Sequence, residues 1–152
     1  MKVLFIFFIF LFYSYHITAQ ILDINPSFPT SNDNITVIYD ASEGNAALVG
    51  VTPVYCHAGL ITSTSTSPAN WQFVQGVWGT PDQNVLMTSL GNNKHSITIN
   101  IPQFYGFPNG TNLLKLAFVF RNASGTIVGR SADGSDIYYD VYPTNGGLQA
   151  AI

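Results

Sequence analysis

The sequence predicts an all-β protein, an antiparallel immunoglobulin-like β-sandwich of about eight strands, with a closed barrel as the alternative architecture. Every long hydrophobic pattern in the chain repeats with a period of two residues, which places alternate side chains on opposite faces of a strand. No segment has the apolar stripe of an amphipathic helix. Turn-forming residues separate short apolar segments at the spacing that is typical of a sandwich.

The strands are predicted in chain order from these alternating segments and from the turns between them. Turn formers such as Asn92-Asn93 lie at the segment boundaries, and Ser124-Gly125 indicates a hairpin between two strands. The predicted strands cover residues 21–25, 34–41, 53–61, 71–77, 85–89, 94–101, 113–121, 126–129 and 136–142.

Three of these segments show which strand face enters the core. In each of them apolar side chains occupy every second position, so one face is expected to be buried and the other to be wetter. Segment 113–121 is the best candidate for a central strand. The predicted core-facing sets are Ile35, Val37 and Tyr39; Ile97, Ile99 and Ile101; and Leu114, Leu116, Phe118 and Phe120.

Residues 1–20 have the layout of a secretory signal peptide. Lys2 precedes an apolar run over residues 3–13, and more polar residues follow up to Gln20. The run is shorter than the roughly 20 apolar residues that cross a bilayer, so we expect cleavage just before or just after Gln20, with an uncleaved anchor as the alternative. We therefore predict a secreted protein, extracellular or at the cell surface after periplasmic transit, with no membrane contact once the signal is removed.

Residues 21–143 are predicted to form one domain. The Ser/Thr-rich stretch 62–67 is interpreted as a loop within this domain, because Pro68 and Trp71 follow it directly. Residues 144–152 end on apolar side chains without a turn former. We therefore expect them to be the start of a linker or of a following domain in a longer protein.

The composition restricts the class of ligand. The chain has 152 residues, of which 47% are hydrophobic, 14% aromatic and 9% charged, and its formal net charge is −3. This hydrophobicity excludes a long disordered region, and the single cysteine excludes a disulfide scaffold. Nucleic acid is not expected as a partner, because the chain has no excess of Lys and Arg. Any ligand is expected to be neutral.

The reactive side chains do not form a recognisable catalytic or metal site. A glycosidase needs two facing carboxyl groups, and the only glutamate, Glu43, lies in a predicted turn. Cys56 and His57 are adjacent on a strand and point to opposite faces, so Cys56 is interpreted as a small buried apolar side chain. His57 and His95 have no ligand-type neighbour at metal spacing. The sequence thus predicts no catalytic residue, no metal and no cofactor.

Two acidic stretches lack the ligand density of a calcium loop and are interpreted as plain turns, namely residues 40–43 and 133–136.

Aromatic residues are the remaining candidates for binding. Trp71 and Trp78 lie seven residues apart, and Tyr105 lies in an aromatic cluster beside turn residues. A sugar ring has apolar C–H faces and a rim of hydroxyls, which suits the apolar body and polar edge of Trp and Tyr. We therefore predict that Trp71, Trp78 and Tyr105 bind carbohydrate; the alternative is that all three belong to the core.

Four stretches resemble a known family, the N-terminal β-sandwich module of secreted α-amylase-type glycoside hydrolases from Bacteroidetes-type bacteria. The resemblance extends from about Leu22 to about Tyr142 and keeps the order of the family's motifs. The stretches are 55–62 (YCHAGLIT), 71–80 (WQFVQGVWGT), 87–94 (MTSLGNNK) and 114–122 (LKLAFVFRN).

The resemblance implies a function without catalysis. In that family the module precedes a catalytic barrel, is itself noncatalytic, and looks like starch-binding and immunoglobulin-like sandwiches. The sequence contains no catalytic barrel after Ile152, so we expect only the accessory role: binding of a neutral polysaccharide such as an α-glucan, beside a catalytic amylase domain. The alternative is a structural spacer that packs against the catalytic domain and has no ligand. Cys56 departs from the small or polar residue expected before His57 and places no site in doubt.

Overall fold

The computed structural model describes residues 20–144 and contains nine strands, one short α-helix and one 3₁₀ turn. The signal peptide and the C-terminal linker predicted from the sequence lie outside the described residues, apart from Gln20 and Thr144. The strands are β1 (Leu22–Asn25), β2 (Asn34–Asp40), β3 (Tyr55–Thr62), β4 (Gln72–Gln75), β5 (Thr88–Gly91), β6 (Lys94–Asn100), β7 (Leu113–Arg121), β8 (Val128–Gly129) and β9 (Ile137–Asp140).

The strands form two antiparallel sheets, which confirms the predicted β-sandwich. The first sheet has the order β1-β2-β6-β5, and the second has the order β4-β3-β7, with β8 and β9 both pairing with the far side of β7. This is the order of strands A, B, E and D in one sheet and of C′, C, F and G in the other sheet of the immunoglobulin fold. The barrel alternative is wrong, because the residues described form two sheets rather than one closed sheet.

Strand β7 is the central strand of the second sheet, as predicted. It pairs with β3 along its whole length on one side, and with β8 and β9 on the other. Its inward side chains include Phe118 and Phe120, which are fully buried. Leu114 differs from the prediction because its side chain is 43% exposed. A register shift between Ile61 and Thr62 of β3 lies beside it, which interrupts the regular pairing at this end of β7.

At the ends of two predicted strands, Val85 and Ile101 belong instead to short helical elements. Segment 85–89 was expected to be extended throughout, but a 3₁₀ turn occupies Gln83–Val85, where Asp82 Oδ1 accepts a 2.9 Å hydrogen bond from Asn84 N. The strand pattern of 94–101 ends at Asn100, and the helix α1 (Ile101–Tyr105) begins there. A five-residue helix is too short to produce an apolar stripe, so periodicity could not predict it.

The core lies between the two sheets. The ring of Tyr39 on β2 stacks on Phe120 of β7 with 3.9 Å between centroids and 11° between planes. Cys56 is fully buried beside them on the inner face of β3, as predicted, and its burial raises the pKa of the thiol. His95 also enters this core, where desolvation lowers its pKa.

The outer face of the second sheet is also largely covered, and this positions the site described below. Val119 and Arg121 on the outer face of β7 are buried. Gly59 of β3 and Ala117 of β7, which pair with each other, are buried as well. The cover comes from residues on either side of β4: Trp71 packs over Gly59, and the carbonyls of Val77 and Thr80 accept hydrogen bonds from Arg121.

Candidate functional site

An open cleft of about 340 Å³ lies on the outer face of the second sheet. Its floor and walls combine aromatic, apolar and charged side chains within one concave surface. The side chains that matter for its chemistry are His57, Trp71, Trp78, Val119, Arg130 and Asp136.

The floor of the cleft follows from the pairing of β3 with β7. His57 lies directly opposite Val119 in this antiparallel ladder. Since side chains alternate along a strand, their neighbours Cys56 and Phe120 point into the core, and both are fully buried. His57 and Val119 therefore project together from the opposite face of the sheet.

Trp71 forms one wall because a glycine lies beneath it. A Cβ atom placed on Gly59 would be 2.9 Å from Cε3 of Trp71, which is closer than real Cβ contacts. The absence of a side chain at Gly59 lets the indole lie against the strand. The Trp71 ring is also stacked with His57, with centroids 5.9 Å apart and 29° between the planes.

Trp78 forms the second wall and is 45% exposed. The indole edge that carries Nε1 lies over Gly125, where an added Cβ would be 2.7 Å from Nε1. The φ angle of Gly125 is +70°, a conformation that favours glycine. The Trp78 ring meets His57 edge-on, at 5.1 Å and 88°. Because His57 is nearly parallel to Trp71 and perpendicular to Trp78, the two indoles form a corner rather than a flat platform.

Arg121 holds the Trp78 segment in place. Its guanidinium is fully buried and lies 5.8 Å from the Trp78 ring centroid and 5.2 Å from that of Tyr55. Burial is the main cause that lowers its pKa. The guanidinium donates four hydrogen bonds to backbone carbonyls, those of Val77 (2.8 Å), Thr80 (2.9 Å), Asn122 (3.0 Å) and Ala123 (3.0 Å).

The imidazole of His57 is held in one orientation and one tautomer. Its Nδ1 lies 2.9 Å from the carbonyl oxygen of Gly76, which only accepts, so Nδ1 carries the proton and donates. Burial is the largest influence on its pKa and lowers it; Arg121 also lowers it, while the Gly76 bond and Asp136 raise it. The neutral ring therefore keeps Nε2 as an acceptor.

The rim of the cleft carries an ion pair between Arg130 and Asp136. The side chains are partly exposed, so hydrogen-bonding capacity remains toward solvent. A guanidinium offers only donors and a carboxylate only acceptors. The pair can therefore bond both the oxygen and the hydrogen of hydroxyl groups.

The structure brings two of the three predicted binding residues together. Trp71 and Trp78 line the same cleft. Tyr105 does not, and its prediction as a ligand-facing residue is wrong, because its side chain is 3% exposed within the core. Tyr105 is the last residue of α1, where it packs edge-on against Phe104 at 4.9 Å, and burial raises its pKa.

Four residues of the site were not predicted from the sequence, namely His57, Arg121, Arg130 and Asp136. His57 was considered only for catalysis and metal binding, and Arg130 and Asp136 become neighbours only through the turn that joins β8 to β9. Arg121 had a detectable sign: it lies on the strand face that also carries Ala117 and Val119, and an arginine among apolar residues is typically buried with partners.

Within residues 20–144, no group of three or more His, Cys, Asp or Glu side chains could hold a metal ion. In the same range, no helix combines the length and the hydropathy that crossing a membrane requires.

Comparison with known families gives a match over most of the chain. Residues 22–128 match the family described as a domain of unknown function (DUF8578). No curated protein matches the chain.

Proposed function

Since the chain belongs to the DUF8578 family, whose description names no ligand, we propose its function from the cleft itself: noncatalytic binding of a neutral carbohydrate. The observation that carries this proposal is the exposed indole of Trp78, set as a corner against Trp71 and His57. Aromatic faces of this kind suit the apolar C–H face of a sugar ring. A corner contacts two sides of one ring, so it favours a chain end or a bent chain over a flat polysaccharide surface.

The polar groups of the cleft support a ligand that is rich in hydroxyls. Asp136 and Nε2 of His57 accept hydrogen bonds, and Arg130 donates them. Because Arg130 and Asp136 neutralise each other, the rim has no net charge that would favour an ionic ligand. This agrees with the low charge of the whole chain.

An α-glucan such as starch is the proposed ligand class, and a catalytic amylase domain is the proposed partner. The support is the resemblance of stretches 55–62 and 71–80, which contain four of the residues that line the cleft: His57, Trp71, Val74 and Trp78. Secretion is part of the same proposal and is supported by the signal-peptide layout of residues 1–20.

Replacing the exposed tryptophan tests the proposal. We expect Trp78→Ala to weaken α-glucan binding about thirtyfold, which is the effect of removing a binding hot spot worth about 2 kcal/mol. Retardation in native gels that contain starch, glycogen or pullulan measures binding to polymers, and calorimetry with maltoheptaose gives the dissociation constant.

Phe28→Ala is the matched control, because Phe28 is 70% exposed and does not line the cleft. It should bind as the unchanged protein does. Equal mobility of the unchanged protein with and without each polysaccharide, together with no heat from maltoheptaose, would refute α-glucan binding.

The spacer is the second candidate, and one observation favours it. Trp71 packs on Gly59 and Tyr105 is in the core, so two of the three predicted aromatics contribute to the stability of the sandwich. A spacer predicts that the unchanged protein and Trp78→Ala both fail to bind any of the glycans, and that a separately produced amylase domain binds the sandwich.

A further inference from the structure

A second cavity of about 500 Å³ lies on the same outer face of the same sheet. Its walls are mainly apolar, with the rings and methyl groups of Ile61, Leu114 and Tyr138 facing it. Residues of the Ser/Thr-rich loop, Ser63 and 65–68, also line it.

The register of the sheet places the two cavities in one line. On β3 the cleft uses His57 and the second cavity uses Ile61, four positions later on the same strand face. On β7, Val119 lines the cleft and Lys115, four positions earlier on the same strand face, lines the second cavity. This separation is about 13 Å at about 3.3 Å per residue.

Trp71 stands between the two cavities. It covers Gly59, which pairs with Ala117 midway between the two floors. The chain just before Trp71 lines both sites, because Asn70 faces the cleft and Pro68 faces the second cavity. Tyr138 Oη donates a 2.9 Å hydrogen bond to the carbonyl of Pro68. This bond connects the chain just before Trp71 to β9.

The lining of the second cavity suits a sugar ring. Leu114 is 43% exposed and, with the ring of Tyr138, offers apolar surface to C–H groups. The loop hydroxyls both donate and accept hydrogen bonds. Lys115 is held by Asp140 at 2.6 Å, so the cation beside the cavity is already paired.

We propose that the second cavity is a further subsite for the same glycan, so that the ligand is a linear oligosaccharide that crosses Trp71 and occupies both cavities. This inference rests on the proposed carbohydrate-binding function of the cleft. It predicts that affinity depends on the number of sugar rings, because a single ring cannot reach both cavities.

Calorimetry with a series from maltose to maltoheptaose tests the inference on the purified protein. Affinity should rise with chain length until the chain spans both cavities, and then stay constant. Leu114→Ala should lower the affinity for maltoheptaose about fivefold, through lost apolar contact, and leave the affinity for maltose unchanged. Leu90→Ala is the control, since Leu90 is exposed on β5 of the other sheet.

Two failures can be told apart. Affinity that is independent of chain length, or Leu114→Ala that binds maltoheptaose as tightly as the Leu90→Ala control, overturns the second subsite and leaves binding at the cleft intact. Absence of binding to every member of the series overturns both proposals.

Discussion

At the scale of single residues, Arg121 is the side chain on which the site depends most. A buried cation is costly unless its donors are satisfied. Here four backbone carbonyls, in place of a carboxylate, accept from Nη1 and Nη2, while Nε has no hydrogen-bond partner among the described residues. Two of these carbonyls, from Val77 and Thr80, flank Trp78 on the chain. The arginine thus joins the end of β7 to the segment that presents the exposed indole.

Replacing Arg121 tests this role. Arg121→Met keeps much of the side-chain volume but removes the guanidinium hydrogen bonds to the carbonyls of Val77 and Thr80, which keep only their bonds from Thr80 and Asp82. We expect the free energy of unfolding to fall by about 2 to 4 kcal/mol. Each of the four lost hydrogen bonds to a charged group contributes about 1.5 to 3 kcal/mol, but the variant regains much of this loss because it no longer buries a cation. Urea denaturation measures it.

Arg130→Met is the matched control for this prediction. Arg130 is partly exposed in its ion pair, and exposed ion pairs contribute about 0 to 1 kcal/mol. Equal losses for the two variants would contradict a special role for Arg121.

At the scale of elements, the helix α1 shows how local capping redirects a strand. Asn100 Oδ1 accepts a 3.0 Å hydrogen bond from Gln103 N, Pro102 occupies the first turn, and Gly106 ends the helix at φ +67°. These are ordinary start and stop residues of a helix. Together they turn the chain away from the β6 pattern, and so bury Tyr105.

The cap gives a prediction at this scale. Asn100→Ala removes the acceptor for Gln103 N and should destabilise the protein by about 1 kcal/mol, the usual cost of losing an N-cap. Asn100→Asp keeps the acceptor and should recover most of this loss, although it gives up the 2.8 Å bond that Asn100 Nδ2 donates to Asn34 Oδ1. Thermal unfolding of the three proteins measures the difference. A cap role is contradicted if the two variants lose the same stability.

At the scale of the whole molecule, the half-buried His57 and the buried His95 link stability to pH. Burial is the largest cause that lowers the pKa of both His57 and His95 below the ordinary value of 6.5. The unfolded chain therefore binds more protons than the folded protein at pH values below about 6.5. The stability linked to these groups is complete above pH 6.5 and is lost as the pH falls through their folded values.

The expected result is a decrease in the free energy of unfolding between pH 7.5 and pH 5. Asp40 also has a lowered pKa, because hydrogen bonds from Ser42 and the charge of Lys94 outweigh its burial, but its effect appears only below about pH 4. Urea denaturation across this range tests the sign. Replacing both histidines with Gln should flatten the profile between pH 7.5 and pH 5, and an unchanged slope would show that other groups cause it.

The sequence predicted the sandwich better than it predicted the site. The alternation of Ile35, Val37 and Tyr39 is local, and burial of every second residue is enough to define a strand face. The site is not local. Tyr105 resembled Trp78 as an aromatic beside a turn, and only the position of α1 across the core separates them.

The sequence by itself determined the all-β class, the bounds of β7 and the burial of Cys56, because these depend on the spacing of apolar residues along one strand. Tertiary structure alone decided that His57 meets Trp71 and Trp78 in one cleft. The pairing of β3 with β7 and the fit of each indole over a glycine join residues far apart in the chain. Strand register and close packing are properties of contacts between segments, which periodicity within one segment does not record.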